Sequence, residues 1–213
     1  PMSRRKVLVF FSLWNQAVGL LMARLRPTFF HCPDFHTAVA PWYAVLRRPD
    51  LQLRVLLVLH NAEYQGTIST DMIMGSKLDT MARIWNLPAE FVQRHLILAG
   101  RFNMLKAGVT YIKEAQAGHG VCAVSENYAA ELKRERSLFG CLPALMALDN
   151  ATDPAADGGA AGVDQLRAQR AEAKAALQRH CGLDTDPGAK VLIFIGRWVK
   201  QKGVDHIAML TPH

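Results

Sequence analysis

Short apolar runs recur along the chain, and each is followed by a polar or glycine-containing junction and then by a helical pattern. The runs are rich in β-branched residues and lie at residues 6–11, 27–32, 53–59, 120–125 and 190–196. Strands that are apolar on both faces are typical of a parallel sheet covered by helices on both sides. The pattern therefore predicts an α/β fold with a Rossmann-like parallel sheet flanked by helices.

Helical periodicity is clearest in two segments. Residues 89–113 carry apolar side chains at three- and four-residue spacing, with His95 on the same stripe. We expect a long core-facing helix here, broken near Gly100, with the histidine at the edge of the core. Residues 163–182 predict a further helix with Asp164 as its N-terminal cap.

The N-terminal segment imitates a signal peptide or a membrane anchor, because the uncharged residues 7–23 follow a basic start. The side-chain amides of Asn15 and Gln16 are costly in hydrocarbon, so we expect no membrane segment. We predict instead a strand at 6–11, a polar turn and a helix that ends before Pro27. Because position 1 is Pro and not Met, we expect a fragment of a longer polypeptide or an incomplete gene model.

Charge favours an anionic partner. The 213 residues include 25 Lys and Arg against 18 Asp and Glu, which gives a net charge of +7. Nucleic acid, an acidic membrane or a phosphorylated small molecule would all suit this balance. The chain shows no RNA-binding signature, zinc-finger spacing or basic stripe interleaved with aromatics, so nucleic acid is the minority hypothesis.

The four cysteines are far apart and form no C-x-x-C pair, which argues against a structural zinc site and a disulfide framework. The stretch "HCPDFH" offers His31, Cys32 and His36, but a metal would need further ligands from elsewhere. We therefore predict reduced thiols and no metal site.

Candidate chemistry follows the apolar runs, because ligands bind beyond the carboxyl ends of strands in open parallel sheets. Asp34 follows the run at 27–32, although a helix cap would also explain this residue. The run at 53–59 leads into a loop with five hydrogen-bonding side chains, which packing does not explain. These five are His60, Asn61, Glu63, Tyr64 and Gln65. At residues 125–127, by contrast, a serine helix cap accounts for the pattern.

The run at 190–196 ends in "GRWVKQKG" and enters a helical pattern. Gly196 permits close approach of a ligand to the backbone, while Arg197 and Lys202 supply cationic donors beside a helix N-terminus. This arrangement indicates a phosphate site, although it matches neither the P-loop nor the dinucleotide glycine pattern. The chain shows no serine–histidine–aspartate set and no carboxylate pair at usable spacing, so hydrolytic mechanisms have little support.

Four motifs in order resemble the glycogen and starch synthase family of glycosyltransferases, which have the two-domain GT-B fold. They are "HCPDFHTAVAPWY", "LHNAEYQG", "FNMLKAGVTYI" with "VCAVSENYAAEL", and "GRWVKQKGVD". The second and fourth motifs look closer to the synthase domain of α-1,3-glucan synthases. The resemblance implies a hexosyltransferase that moves glucose from UDP-glucose or ADP-glucose to the non-reducing end of an α-glucan with retention. The nucleotide sugar is a substrate, and no separate cofactor is implied.

The resemblance also implies roles for individual residues. Arg197 and Lys202 match the positions that hold the phosphates of the donor, and His60 matches the histidine that contacts the transferred glucose, so these three form the implied catalytic set. Gly196 and, more weakly, Asn150 complete the donor side. On the acceptor side the implied crevice residues are Asp34, His36, Asn61, Tyr64 and Gln65.

The chain also departs from the family pattern. It lacks the glycine-rich N-terminal loop with its lysine and the glutamate pair of the second domain. By the layout of the family, residues 1–149 form the N-terminal domain, 150–187 an inter-domain loop and helix, and 188–213 the start of the second domain. We therefore expect the isolated chain to be inactive, and an α-glucan-binding remnant is the alternative. The expected location is the cytoplasm, or the cytoplasmic face of a membrane if the parent is a large glucan synthase.

Overall fold

The computed structural model describes residues 4–69, 77–135, 137–151 and 162–210. The chain divides into two compact units, Pro1–Ala151 and Thr152–His213. The described helices are α1 (Arg4–Leu25), α2 (Ala40–Arg47), α3 (Lys77–Trp85), α4 (Ala89–Leu96), α5 (Met104–Ala115), α6 (Glu126–Glu135), α7 (Ser137–Gly140), α8 (Val163–His180) and α9 (Val204–Leu210). The described strands are β1 (Phe29–Pro33), β2 (Arg54–Leu59), β3 (Thr67–Ser69), β4 (Ile97–Leu98), β5 (Arg101–Asn103), β6 (Val121–Ala123) and β7 (Met146–Ala147).

The first unit is built on a parallel four-stranded sheet in the order β1-β2-β6-β7. Cys32 pairs with Leu57, and Leu57 pairs with Val121, so three of the predicted strands lie side by side with their carboxyl ends at one edge. Helices flank the sheet, and its central strands are buried. The predicted Rossmann-like α/β fold is confirmed, and β7 is an addition that the apolar pattern did not indicate.

The predicted long helix at residues 89–113 is wrong. Two helices, α4 and α5, are separated by the antiparallel strands β4 and β5, which pair Ile97 with Phe102. Ala99 and Gly100 turn the chain with positive φ angles of 48° and 72°, a conformation that cannot continue a right-handed helix. The expected break near Gly100 is thus a complete hairpin, and β3 adds a third strand to it.

The predicted strand at residues 6–11 is also wrong, because these residues belong to the 22-residue helix α1. Apolar side chains occupy both faces of this helix, so the sequence hides the helical period. Its inner face also buries polar groups that have partners in the protein. Ser12 Oγ donates a hydrogen bond to the Ile84 carbonyl at 2.6 Å, and the Asn15 amide bonds to the backbone of His36 and Val39 at 3.0 Å.

Among the described residues, α1 is the one helix that is long and apolar enough to cross a membrane by length and composition. It packs along the protein against α2, where Gly19 allows a close approach. A Cβ atom at Gly19 would lie 2.5 Å from Tyr43 Cβ and 2.9 Å from the Ala40 carbonyl oxygen. The inner face of α1 is therefore part of the core of the first unit.

In the second unit, α8 confirms the predicted helix, but Asp164 lies inside its first turn and Gly162 occupies the N-cap position. The predicted strand at 190–196 is wrong, because these residues form no strand. Leu192 is 96% exposed and Ile195 is 92% exposed, and no described segment of this unit pairs with them. A strand needs such a partner for its backbone groups. The predicted loop at 150–162 lies largely outside the described residues.

Candidate functional site

The candidate site lies where the chain leaves the carboxyl ends of β1, β2 and β6. Asp34 follows β1 in a left-handed conformation with φ 51°, and its N–H donates to the Val58 carbonyl at 2.9 Å. Its carboxylate oxygen Oδ1 accepts the N–H groups of His60 and Asn61 at 2.9 and 3.0 Å. Asp34 therefore fixes the start of the loop after β2, and the helix-cap explanation does not apply to it.

The loop at residues 60–66 is tightly self-bonded. Asn61 Oδ1 accepts the Glu63 N–H at 3.2 Å, and the side-chain amide of Gln65 donates to the Ala62 carbonyl at 3.0 Å. Gly66 closes the loop with φ 62°, and a Cβ there would collide with Met104 and Phe35. The polar cluster predicted from sequence is thus a defined loop with a fixed backbone.

Two residues that the sequence analysis did not single out support this loop. Asn103 is buried, donates from Nδ2 to Gln65 Oε1 at 2.7 Å, and caps α5 by accepting the Lys106 N–H at 2.9 Å. Tyr128 accepts the Ala62 N–H on its hydroxyl at 2.8 Å. The available signal was position, since Asn103 joins the end of β5 to the start of α5 and Tyr128 lies in the first turn of α6, the helix that follows β6.

Several side chains of the loop and of the segment after β1 are exposed to solvent. His60 is exposed and Tyr64 is 46% exposed, while Asn61 and Gln65 are half-buried by their internal bonds. His36 is exposed as well, and its ring stacks on Phe35 at a centroid distance of 4.1 Å. The structure thus brings the predicted acceptor-side residues to one end of the sheet of the first unit.

Burial disfavours ionisation of the Cys32 thiol in β1. Cys32 is 1% exposed, its sulfur lies 3.4 Å from the Thr37 hydroxyl, and burial raises the pKa of the thiol to about 11. A thiol with that pKa stays protonated at neutral pH, whereas metal binding and nucleophilic attack need the thiolate. In the described parts of the chain, no three His, Cys, Asp or Glu side chains form a group that could hold a metal ion.

Three of the four predicted donor-side residues belong to the second unit. Gly196, Arg197 and Lys202 lie in the second unit, where all three are exposed. A 3₁₀ turn at Lys200–Lys202 follows Arg197, and the Lys202 N–H donates to the Val199 carbonyl at 2.9 Å. Asn150 is exposed near the end of the first unit. Their part in a common site with His60 stays a prediction.

Comparison with known proteins identifies the class. Residues 5–146 match the starch synthase catalytic domain family, and this match covers most of the first unit. The chain therefore belongs to that family of glycosyltransferases, as its motifs predicted.

The relatives narrow the comparison further. The cell wall alpha-1,3-glucan synthase mok12 of Schizosaccharomyces pombe is 32% identical over 216 residues, which cover 96% of this chain and 9% of the relative. The glycogen synthase of Alkalilimnicola ehrlichii is 31% identical over 225 residues, which cover 95% of this chain and 43% of the relative. The chain thus spans less than half the length of these relatives.

Proposed function

We propose that this chain is the acceptor-side part of a glucosyltransferase of the α-1,3-glucan synthase or glycogen and starch synthase type. The reaction is transfer of glucose from UDP-glucose or ADP-glucose to a growing α-glucan with retention, in the cytoplasm or at the cytoplasmic face of a membrane. The observation that carries the proposal is the loop after β2, because a network of bonds from Asp34, Asn103 and Tyr128 fixes its backbone and leaves His60 exposed.

In this reaction the bonds that form and break belong to the substrates, and the protein positions them. The acceptor hydroxyl oxygen forms a bond to C1 of glucose, and the bond from C1 to the phosphate oxygen breaks. The nucleoside diphosphate leaves with the electron pair, and the hydroxyl proton is released to solvent. His60 is proposed to contact the transferred glucose near C1. Tyr64 offers an aromatic face to a sugar ring, and Asn61 and Gln65 shape the crevice beside it, with Asp34 and His36 at its edge.

The donor side is proposed to come from the second unit. Negative charge grows on the leaving diphosphate, and fixed positive charge is the usual means of stabilising it. Arg197 offers a planar fork and Lys202 a mobile point charge, and Gly196 leaves room for the phosphates. Asn150 is the fourth proposed donor contact. The roles of Gly196, Arg197 and Lys202 rest on the family motif that these three residues match, and the role of Asn150 rests on a weaker match to a separate loop of the family.

Calorimetric titration of the full chain with α-glucan oligosaccharides tests the acceptor side. Maltoheptaose supplies α-1,4 linkages, an α-1,3-linked oligomer supplies the other type, and cellohexaose is the β-linked control. We expect saturable binding of an α-glucan that weakens at least about tenfold in His60→Ala, the loss of roughly one good sugar contact. His119→Ala is the matched control, since His119 is exposed just before β6 begins, at the opposite end of the sheet. Equal affinity in both variants would refute the assignment of His60.

Donor binding is tested in the same way with UDP-glucose and ADP-glucose. Lys202→Ala should weaken binding of the preferred nucleotide sugar, and Lys200→Ala should not, although both lysines are exposed in the same turn. An equal loss in the two variants would indicate that only net positive charge matters and would remove the specific role of Lys202.

A glucan-binding role without turnover is the second candidate. The observation that favours it is the absence of a strand at residues 190–196, next to the proposed phosphate contacts. Labelled glucose incorporation into a glucan primer separates the two candidates. We expect no turnover by the isolated chain and turnover when the chain is joined to the corresponding second half of the Alkalilimnicola ehrlichii glycogen synthase. A folded, glucan-binding fusion without turnover would favour the binding role.

A further inference from the structure

The solvent side of α1 carries large apolar side chains near both of its ends. These side chains are Val9, Phe10, Leu13 and Trp14, followed two turns later by Leu20 and Leu21, and they are here called the outer face of α1. Leu13 is 62% exposed, Phe10 is 51% exposed and Trp14 is 48% exposed. A large exposed apolar patch on a protein surface usually marks an interaction site.

The inner face of α1 restricts the orientation in which the helix can contact another surface. Leu8 and Met22 are in the core, and the buried amide of Asn15 bonds to backbone groups of the segment before α2. Crossing a bilayer would require these contacts to break. The helix can therefore lie along a surface with its outer face inserted, while its inner face stays packed on the protein.

Charge on α1 indicates which surface it fits. Arg5 and Lys6 are exposed at its start and Arg24 is exposed at its end, and the helix contains no Asp or Glu. Arg26, just past the helix, is already paired with Asp50 at 2.8 Å. An apolar stripe with aromatic residues and with cations at both ends has the composition of a helix that lies in the headgroup region of an anionic membrane.

We propose that the outer face of α1 docks the protein onto an anionic lipid surface. Phe10, Leu13 and Trp14 insert among the acyl chains, and Arg5 and Arg24 bind the headgroups. This inference is independent of glucosyl transfer, because it involves no residue of the candidate site, and either proposal can fail without the other.

The test is flotation of the full chain with vesicles of phosphatidylcholine that contain phosphatidylserine, compared with phosphatidylcholine alone. We expect binding to the anionic vesicles that falls when salt is raised. Phe10→Ser combined with Trp14→Ser should reduce it at least about tenfold, since each buried apolar side chain adds to interfacial affinity. Arg5→Glu combined with Arg24→Glu should reduce it at least about fivefold per cation removed.

The matched control removes the same two residue types elsewhere. Phe194→Ser combined with Trp198→Ser alters an exposed aromatic pair of the second unit, whose ring centroids lie 6.3 Å apart, and should leave flotation unchanged. Circular dichroism confirms that each variant is folded. Quenching of Trp fluorescence by brominated lipid should be present in the wild type and reduced in Trp14→Phe.

Three outcomes would overturn the proposal. The first is no flotation of the folded wild-type chain with anionic vesicles. The second is an equal loss in the control pair. The third is a wild-type chain that does not float but forms a dimer in sedimentation analysis, with the dimer lost on substitution of Phe10 and Trp14, which would assign the outer face of α1 to a second copy of the chain.

Discussion

Asp34 gives the sharpest prediction about how the site is built. Its Oδ1 atom holds two consecutive backbone N–H groups, those of His60 and Asn61, and its own backbone is left-handed with φ 51°. Asp34→Ala removes both hydrogen bonds and leaves an alanine in a conformation that it adopts poorly. Asp34→Asn keeps an acceptor oxygen and a side chain that tolerates the left-handed region.

The magnitude follows from these two effects. Hydrogen bonds to a carboxylate contribute roughly 1.5–3 kcal/mol each when well buried, and Asp34 is only half-buried, so we take about 2 kcal/mol for the pair. The left-handed backbone costs alanine about 1 kcal/mol more. We therefore expect Asp34→Ala to destabilise the loop at 60–66 by about 3 kcal/mol and Asp34→Asn by about 1 kcal/mol.

Amide hydrogen exchange measures this effect at the two N–H groups themselves. Every 1.4 kcal/mol is a factor of ten, so the His60 and Asn61 amides should exchange about a hundredfold faster in Asp34→Ala and only a few-fold faster in Asp34→Asn. The amide of Leu57, which pairs inside the sheet with the Gly120 carbonyl at 2.8 Å, is the internal control. Unchanged exchange at His60 and Asn61 in Asp34→Ala would refute the positioning role of the carboxylate.

Three further predictions concern packing, loop support and pH. Gly19→Ala should lower the free energy of unfolding by about 1–3 kcal/mol in urea titrations, because its Cβ would press on Tyr43; an unchanged or higher stability would contradict the close contact. Tyr128→Phe should cost about 1–3 kcal/mol and weaken glucan binding, because it leaves the Ala62 N–H without its partner; full binding would argue against the support role. Burial lowers the pKa of His95 below its ordinary value, although nearby Glu114 opposes the shift. The unfolded chain then binds the proton more readily than the folded chain. The contribution of His95 to stability is therefore complete above about pH 6.5, and stability falls below that pH by up to about 1.4 kcal/mol per pH unit. His95→Phe should reduce this slope in thermal unfolding measured between pH 7.5 and 5.5.

The central strands were predictable because they are buried on both faces, which leaves a continuous apolar run in the sequence. The same signal failed at residues 6–11, where an apolar outer face and a packed inner face make a helix look like a strand. It failed again at 190–196, where the apolar run meets no strand within the described part of the second unit. An apolar run predicts that a segment is buried, but it does not say what the segment packs against. Residues 6–11 pack on the core as part of a helix, whereas residues 190–196 have no strand beside them in the described part of the second unit.

The candidate site was predictable in part. The loop after β2 stood out because five polar side chains at a strand end have no packing explanation. The two residues that hold this loop, Asn103 and Tyr128, did not stand out in the sequence. Both lie at or near the start of a helix, where neither residue type is unusual, so neither suggested a contact with the loop. Only the fold shows that the Asn103 amide and the Tyr128 hydroxyl reach across to Gln65 and Ala62.

The most direct test of the central claim is nuclear magnetic resonance of the histidine rings during titration of the full chain with an α-glucan oligosaccharide. The chain has eight histidines, so each ring resonance can be assigned by single substitution. We expect saturable shifts for His60 and smaller shifts for neighbouring His36, with none for His119 at the opposite end of the sheet. Saturable glucan binding that leaves the His60 resonances unmoved would contradict the proposed role of His60.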